Sequence, residues 1–118
     1  MGTRSDFYVG VGKNAEWLGS VAWDGYEWGE DENCQLMKAT TESEYRMAVS
    51  GIAKARDDWT APEQGWPWPW DDSNTTDCAY AFHGGKTEYI TEDREWPDMS
   101  GRKNIAIGKR SGIILIVG

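Results

Sequence analysis

The chain has one histidine, His83, and any acid–base chemistry would start there. A general base needs a carboxylate to orient it and a nucleophile within hydrogen-bond reach. Glu88 and Asp77 are the carboxylates that can serve as the first. Neither Gly-x-Ser-x-Gly nor His-Glu-x-x-His occurs to supply the second. His83 also falls at a hairpin end opposite Lys86, where polar residues are ordinary, so no catalytic residue and no enzymatic activity are expected. Asp71, Asp72 and Asp77 lie around Ser73-Asn74-Thr75-Thr76, and clustered oxygens suit Ca²⁺ or Mg²⁺. Their spacing is not that of an EF-hand loop, so a solvated turn is expected and no metal. Gly108-Lys109-Arg110-Ser111 has the basic character of a phosphate loop. Gly101, however, lies seven positions before Gly108 instead of five, and Arg110 replaces the Ser or Thr. Cys34 and Cys78 form no Cys-x-x-Cys pair, so zinc is not expected, and no cofactor is.

Binding is the better-marked chemistry. Eight tryptophans occur in 118 residues, three of them in Trp66-Pro67-Trp68-Pro69-Trp70. An indole offers large area, modest entropy loss and an N–H donor, which suits an interface anchor, a sugar-stacking platform or a clamp on a small core. Alternating prolines remove ladder donors and favour polyproline II, so this run is no central strand. Three indoles must still pack on something.

Charge narrows the partner. Residues 14–98 hold 19 of the 20 acids and 6 of the 12 bases, a net of −13, within an overall −8. Nucleic-acid binding draws on Lys and Arg that release phosphate counterions, so a body this acidic argues against direct nucleic-acid contact. It suits plain solubility, and it equally suits attraction to a basic protein surface, including one that normally holds nucleic acid. Glu30, Asp31 and Glu32, close to Glu27, are the densest acidic run, and Asp71 and Asp72 adjoin Trp70. No apolar run approaches the roughly 18 residues of a membrane span, and the opening residues carry no apolar h-region. A cytoplasmic protein with two reduced thiols is expected, away from membranes.

These residues need a frame. Phe7, Val9 and Val11 alternate with Tyr8 and Gly10, the period of a strand. Trp17, Gly19, Val21 and Trp23 do the same in a second strand closed by Asp24-Gly25. Tyr26 to Lys38 reads as a solvated acidic loop. Thr41 with Glu44 forms a capping box, and Tyr45, Ala48, Val49, Ile52 and Ala53 mark one buried helical stripe. Gly84-Gly85 between Cys78–His83 and Lys86–Thr91 predicts a two-residue hairpin with Tyr80 opposite Tyr89 and Cys78 opposite Thr91. Residues 104–107 and 113–117 read as two β-branched strands, the second buried on both faces. The expectation is one α+β domain over residues 1–118. It would hold a mostly antiparallel sheet of about six strands, ordered ββα-loop-ββββ, with one helix packed on it.

Asp6-Phe7-Tyr8-Val9-Gly10, Glu16-Trp17-Leu18-Gly19-Ser20 and Ala22-Trp23-Asp24-Gly25 together resemble uncharacterised small proteins of bacteriophages and mobile elements. Gln64-Gly65-Trp66-Pro67-Trp68-Pro69-Trp70 and Tyr80-x-Phe82 extend the resemblance over most of the chain. No activity is assigned to that group, so no catalytic residue carries over. The resemblance implies an accessory protein of a phage or mobile element. In that setting small acidic proteins inhibit host defence, as anti-CRISPR and anti-restriction proteins do. The reading is therefore a protein-binding protein that inhibits a host nucleoprotein or nuclease by occupying a basic surface. Its partner-binding residues are Trp66, Trp68, Trp70, Asp71, Asp72, Glu30, Asp31 and Glu32. The alternative is a small-ligand or carbohydrate module built on the tryptophan run.

Overall fold

A computed structural model describes residues 3–12, 15–69, 73 and 76–91. Four strands form one sheet in the order β2-β1-β3-β4, with β1 at Ser5–Val9, β2 at Glu16–Val21, β3 at Cys78–His83 and β4 at Lys86–Thr91. Among the described residues, two α-helices and a short 3-10 turn, Pro62–Gln64, lie between β2 and β3: the α-helices are a single turn α1, Gln35–Lys38, and the main helix α2, Glu42–Ala55. The α+β class holds. Among the described residues, however, the sheet is mixed and four-stranded, where a mostly antiparallel sheet of about six strands is expected. The outer pairs β1·β2 and β3·β4 are antiparallel, and the central pair β1·β3 is parallel, with Ser5 opposite Cys78 and Val9 opposite Phe82. The strands expected at 104–107 and 113–117 lie outside the described residues.

A parallel central pair needs a long crossover and cover on both faces, because its strands are apolar on both sides. Ala79, Tyr80, Ala81 and Phe82 of β3 are all buried, as are Phe7 and Tyr8 of β1. On one face Phe7, Val21, Tyr80 and Phe82 pack with Tyr45, Ala48 and Val49 of α2. On the other face Tyr8, Trp17, Ala79, Ala81 and Ile90 form a second core, and Trp66 packs against it. The crossover supplies both covers, a helix on one face and the tryptophan segment on the other.

The local signals explain the elements. Thr41 caps α2 by accepting from Glu44 N at 3.1 Å. Glu44 answers one residue further back than a standard capping box: its Oε1 accepts from Thr40 N at 2.8 Å. Gly84 and Gly85 take φ of 62° and 77°, the positive values that a tight type I′ hairpin turn requires. The register of that hairpin is the expected one, Tyr80 opposite Tyr89 and Cys78 opposite Thr91.

Two local expectations fail for identifiable reasons. In β2 the pairing slips: Phe7 faces Gly19, but Tyr8 faces Trp17, leaving Leu18 as the extra residue of a bulge. The slip reverses the alternation, so Trp17 and Val21 enter different cores, and Trp23, beyond the strand end, is 51% exposed. The second failure is the 26–38 loop, which is ordered by turns and by α1 and buries Trp28 and Leu36. Thr87 Oγ1 of β4 donates to Leu36 O at 2.6 Å and ties α1 to the sheet.

Candidate functional site

The first residue with chemistry to offer is one that its sequence context does not mark. Asp6 is fully buried in β1, on the tryptophan side of the sheet. Its Oδ1 accepts from Ser20 Oγ at 2.6 Å and from Trp68 Nε1 at 2.7 Å. Its Oδ2 accepts from Ser73 Oγ at 2.6 Å, and Thr76 adds a further side-chain hydrogen bond. Ser73 spends its proton on Asp6, so Tyr8 OH must be the donor in the 2.6 Å contact between Tyr8 and Ser73. Trp17 Nε1 completes the chain by donating to Ser20 Oγ at 3.1 Å. Burial pushes the Asp6 carboxyl above its ordinary 3.8, outweighing the lowering effect of Ser20, Ser73, Trp68 and Thr76. Both oxygens are occupied and no solvent reaches them, so Asp6 fastens the tryptophan segment to the sheet and has no open side for a substrate.

The same geometry defines the tryptophan run. Trp66 stands edge-on against Trp17, with ring centroids 5.1 Å apart. Trp68 commits its N–H to Asp6 and lies under Arg4, whose guanidinium carbon is 5.7 Å from the ring centre. Both are half-buried and take part in the fold. Trp70, Asp71 and Asp72 lie outside the described residues.

His83 Nε2 is hydrogen-bonded to Glu88 Oε1, so of the two carboxylates considered for it the structure joins Glu88. Asp77 is elsewhere, accepting from Arg4 N at 2.8 Å. Cys34 and Cys78 are both free thiols. Cys78 is buried, which pushes its thiol up to about 12.

The acidic 27–32 segment sets four exposed carboxylates on ordered turns. Trp28 is buried against Phe7 and Tyr80, with Arg56 stacked over it at 5.5 Å. Gly29 N donates to Tyr80 OH at 2.8 Å, and Tyr80 OH donates to Gly25 O at 2.6 Å. Backbone bonds from Glu30 N to Tyr26 O, Asp31 N to Trp28 O and Cys34 N to Asp31 O close successive turns. Glu27, Glu30, Asp31 and Glu32 all point to solvent. Several other carboxylates are held by arginines. Arg46 holds Glu16 at 2.6 Å and Glu42 at 2.8 Å, and Arg56 holds Asp58 at 2.7 Å and Asp24 at 3.3 Å. Burial raises the Asp58 carboxyl, but Arg56 and the N–H groups of Trp23 and Ala22 outweigh that and leave it below its ordinary value. Among the described residues, the four carboxylates of 27–32 take part in no ion pair.

Gly29 is the close-approach point of this segment, since a Cβ there would run into the Tyr89 ring. Gly29→Ala is expected to lift the acidic segment off Tyr80 and to destabilise the fold by about 1–3 kcal/mol. Thermal melting checks this, and an unchanged midpoint would show that the segment is not seated on the sheet. Compared with family models, curated proteins and solved structures, the chain matches none.

Proposed function

We propose that this protein acts by binding another protein, setting the carboxylates of 27–32 onto a basic surface of the kind that otherwise holds nucleic acid. The observation that carries this is the set Glu27, Glu30, Asp31 and Glu32. They are exposed, unpaired among the described residues, and mounted on turns anchored to the core through Trp28 and Gly29. A pre-ordered charged face loses little entropy on docking and steers a basic partner at long range. In a phage or mobile-element setting the partner would be a host defence nucleoprotein or nuclease in the bacterial cytoplasm, inhibited by loss of its nucleic-acid surface. Trp66 and Trp68 then serve by covering the second face of the sheet. The docking face is the acidic segment, with the 51%-exposed Trp23 close by in sequence.

The test is to pass lysate of a bacterial host over the immobilised protein at low and at high salt, beside a variant carrying E27Q, E30Q, D31N and E32Q. A basic nucleic-acid-handling protein should be retained by the native protein at low salt, released at high salt, and passed by the variant. Retention that ignores salt, or that survives in the variant, overturns the proposal.

A further inference from the structure

We infer that the exposed ring of Trp23 is the seat of an arginine side chain of the partner protein, an inference that rests on the proposed function and names one contact beside its docking face. Among the described tryptophans, Trp23 alone has neither a ring partner nor an acceptor for its indole N–H. Trp17 and Trp66 pack on each other, Trp28 and Trp59 pack on Phe7, and Trp68 is bonded to Asp6. The Trp23 side chain is exposed, yet its main chain is fixed. Ala22 N and Trp23 N donate to Asp58 Oδ2 at 3.0 and 3.1 Å, and Arg56 Nη2 donates to Trp23 O at 3.0 Å. A large ring held out to water on an ordered main chain loses little entropy on docking.

The molecule itself shows what such a ring takes. Arg56 lies over Trp28, 5.5 Å from the ring centre, and pairs with Asp58 at 2.7 Å. Arg4 lies over Trp68 at 5.7 Å and pairs with Asp77 at 4.0 Å. Each is a set of indole, guanidinium and aspartate, in which a planar cation gains from the ring quadrupole and from a carboxylate together. At Trp23 the indole and the aspartates are present, and among the described residues no cation lies over the ring. Asp24 follows directly in the chain; it is exposed, and only its Oδ2 is engaged, by Arg56 at 3.3 Å. Asp57 is exposed between the two residues that hold the Trp23 main chain, and it forms no ion pair among the described residues. Lys54, in the last turn of α2, neither lies over the ring nor pairs with these carboxylates. The joined segments 22–24 and 56–58 thus set Asp24, Asp57 and Asp58 against Arg56 alone, whose guanidinium is already shared by two of them. A stacked nucleobase would bring its phosphate against these carboxylates, whereas an arginine is drawn to them. The seat is also continuous with the proposed docking face. Glu27 N donates to Asp24 O at 3.0 Å, closing the turn that joins Trp23 to the 27–32 carboxylates.

Titration of the isotope-labelled full chain with a short alternating Gly/Arg peptide tests the seat, read by the indole N–H resonances and by calorimetry. The control is the same peptide with citrulline in place of arginine, which keeps the shape and removes the charge. The Arg peptide should move the Trp23 resonance, assigned by its absence from Trp23→Ala, more than that of any other tryptophan. Trp23→Ala should bind the Arg peptide about fivefold more weakly, the size of loss an exposed cation–π contact gives, with an unchanged melting midpoint. A Trp23 resonance that stays in place, equal binding of the two peptides, or Trp23→Ala binding as tightly as the native protein overturns the seat. So does a lowered melting midpoint of Trp23→Ala, which would make the ring part of the fold. The E27Q, E30Q, D31N, E32Q variant separates the two readings. If that variant loses lysate retention while Trp23→Ala behaves as the native protein, the seat is overturned and the proposed function stands. If the variant retains the lysate protein while Trp23→Ala loses the peptide, the arginine seat stands and docking through 27–32 is overturned.

Discussion

Replacing Asp6 with alanine is expected to destabilise the protein by about 3 kcal/mol or more, a large share of the 5–15 kcal/mol that holds a domain folded. The substitution leaves Ser20 Oγ, Ser73 Oγ and Trp68 Nε1 without their acceptor in a site closed to water, and it opens a cavity beneath the tryptophan segment. Asp6→Asn should be much milder. An amide oxygen can still accept from Ser20 and Trp68. Its NH₂ can donate to Ser73 Oγ, which then turns its own proton toward Tyr8 OH. The two residues also differ in pH dependence. Because burial raises the Asp6 carboxyl above 3.8, the native state binds the proton more tightly than the unfolded chain does. Its contribution is therefore fully present below 3.8 and is lost as pH rises through the raised value. Melting across that range should show Asp6→Asn gaining on the native protein as pH increases. A difference that moves the other way would mean that the hydrogen bonds outweigh burial.

Trp68→Ala is expected to cost about 2–4 kcal/mol, combining the lost burial of a half-buried indole beneath Arg4 with a lost donor to Asp6. Trp68→Phe keeps the ring, loses the N–H, and should cost about 1 kcal/mol. Because the Trp68 N–H and Asp6 Oδ1 form one bond, the two alanine substitutions should not add: the double variant should fall short of the sum by about 1 kcal/mol. Denaturant melts of the four proteins check the cycle. If Trp68→Ala instead melts like the native protein and loses partner binding, the residue is an interface anchor and the clamp is refuted.

These expectations show which parts of the molecule are legible in its sequence. Local signals read well. Thr41 with Glu44 marked the start of α2, and Gly84-Gly85 set the β3–β4 register to the residue. Long-range pairing did not, because nothing local says that β1 runs parallel to β3. A signal was nevertheless present: Cys78 to Phe82 is continuously apolar, the pattern of a strand covered on both faces, and it occurs here instead of only at 113–117. The bulge at Leu18 leaves no mark that alternation alone can detect, so the sequence pattern places Trp17 and Trp23 on one face. Density of like charge suggested a solvated loop at 26–38. Burial of Trp28 and Leu36 offsets the repulsion and orders the segment.

The candidate site divides in the same way. The exposed positions of Glu30, Asp31 and Glu32 follow from charge alone. Asp6 does not stand out, because a single acid in an alternating strand looks like a solvent-facing residue. Its role appears only when Ser20, Trp68 and Ser73, up to 67 positions away, converge on it. The Trp66–Trp68 segment could be an anchor or a clamp from composition. The N–H of Trp68 aimed at Asp6 supports the clamp.

The decisive experiment is a salt titration of the affinity between this protein and the basic protein it retains, run beside the E27Q, E30Q, D31N, E32Q variant. Docking through the 27–32 carboxylates requires the native Kd to weaken by about tenfold or more from low to high salt, and the variant to bind weakly with a flatter salt dependence. A native affinity that stays constant across the titration, or a variant that binds as tightly as the native protein, would contradict it.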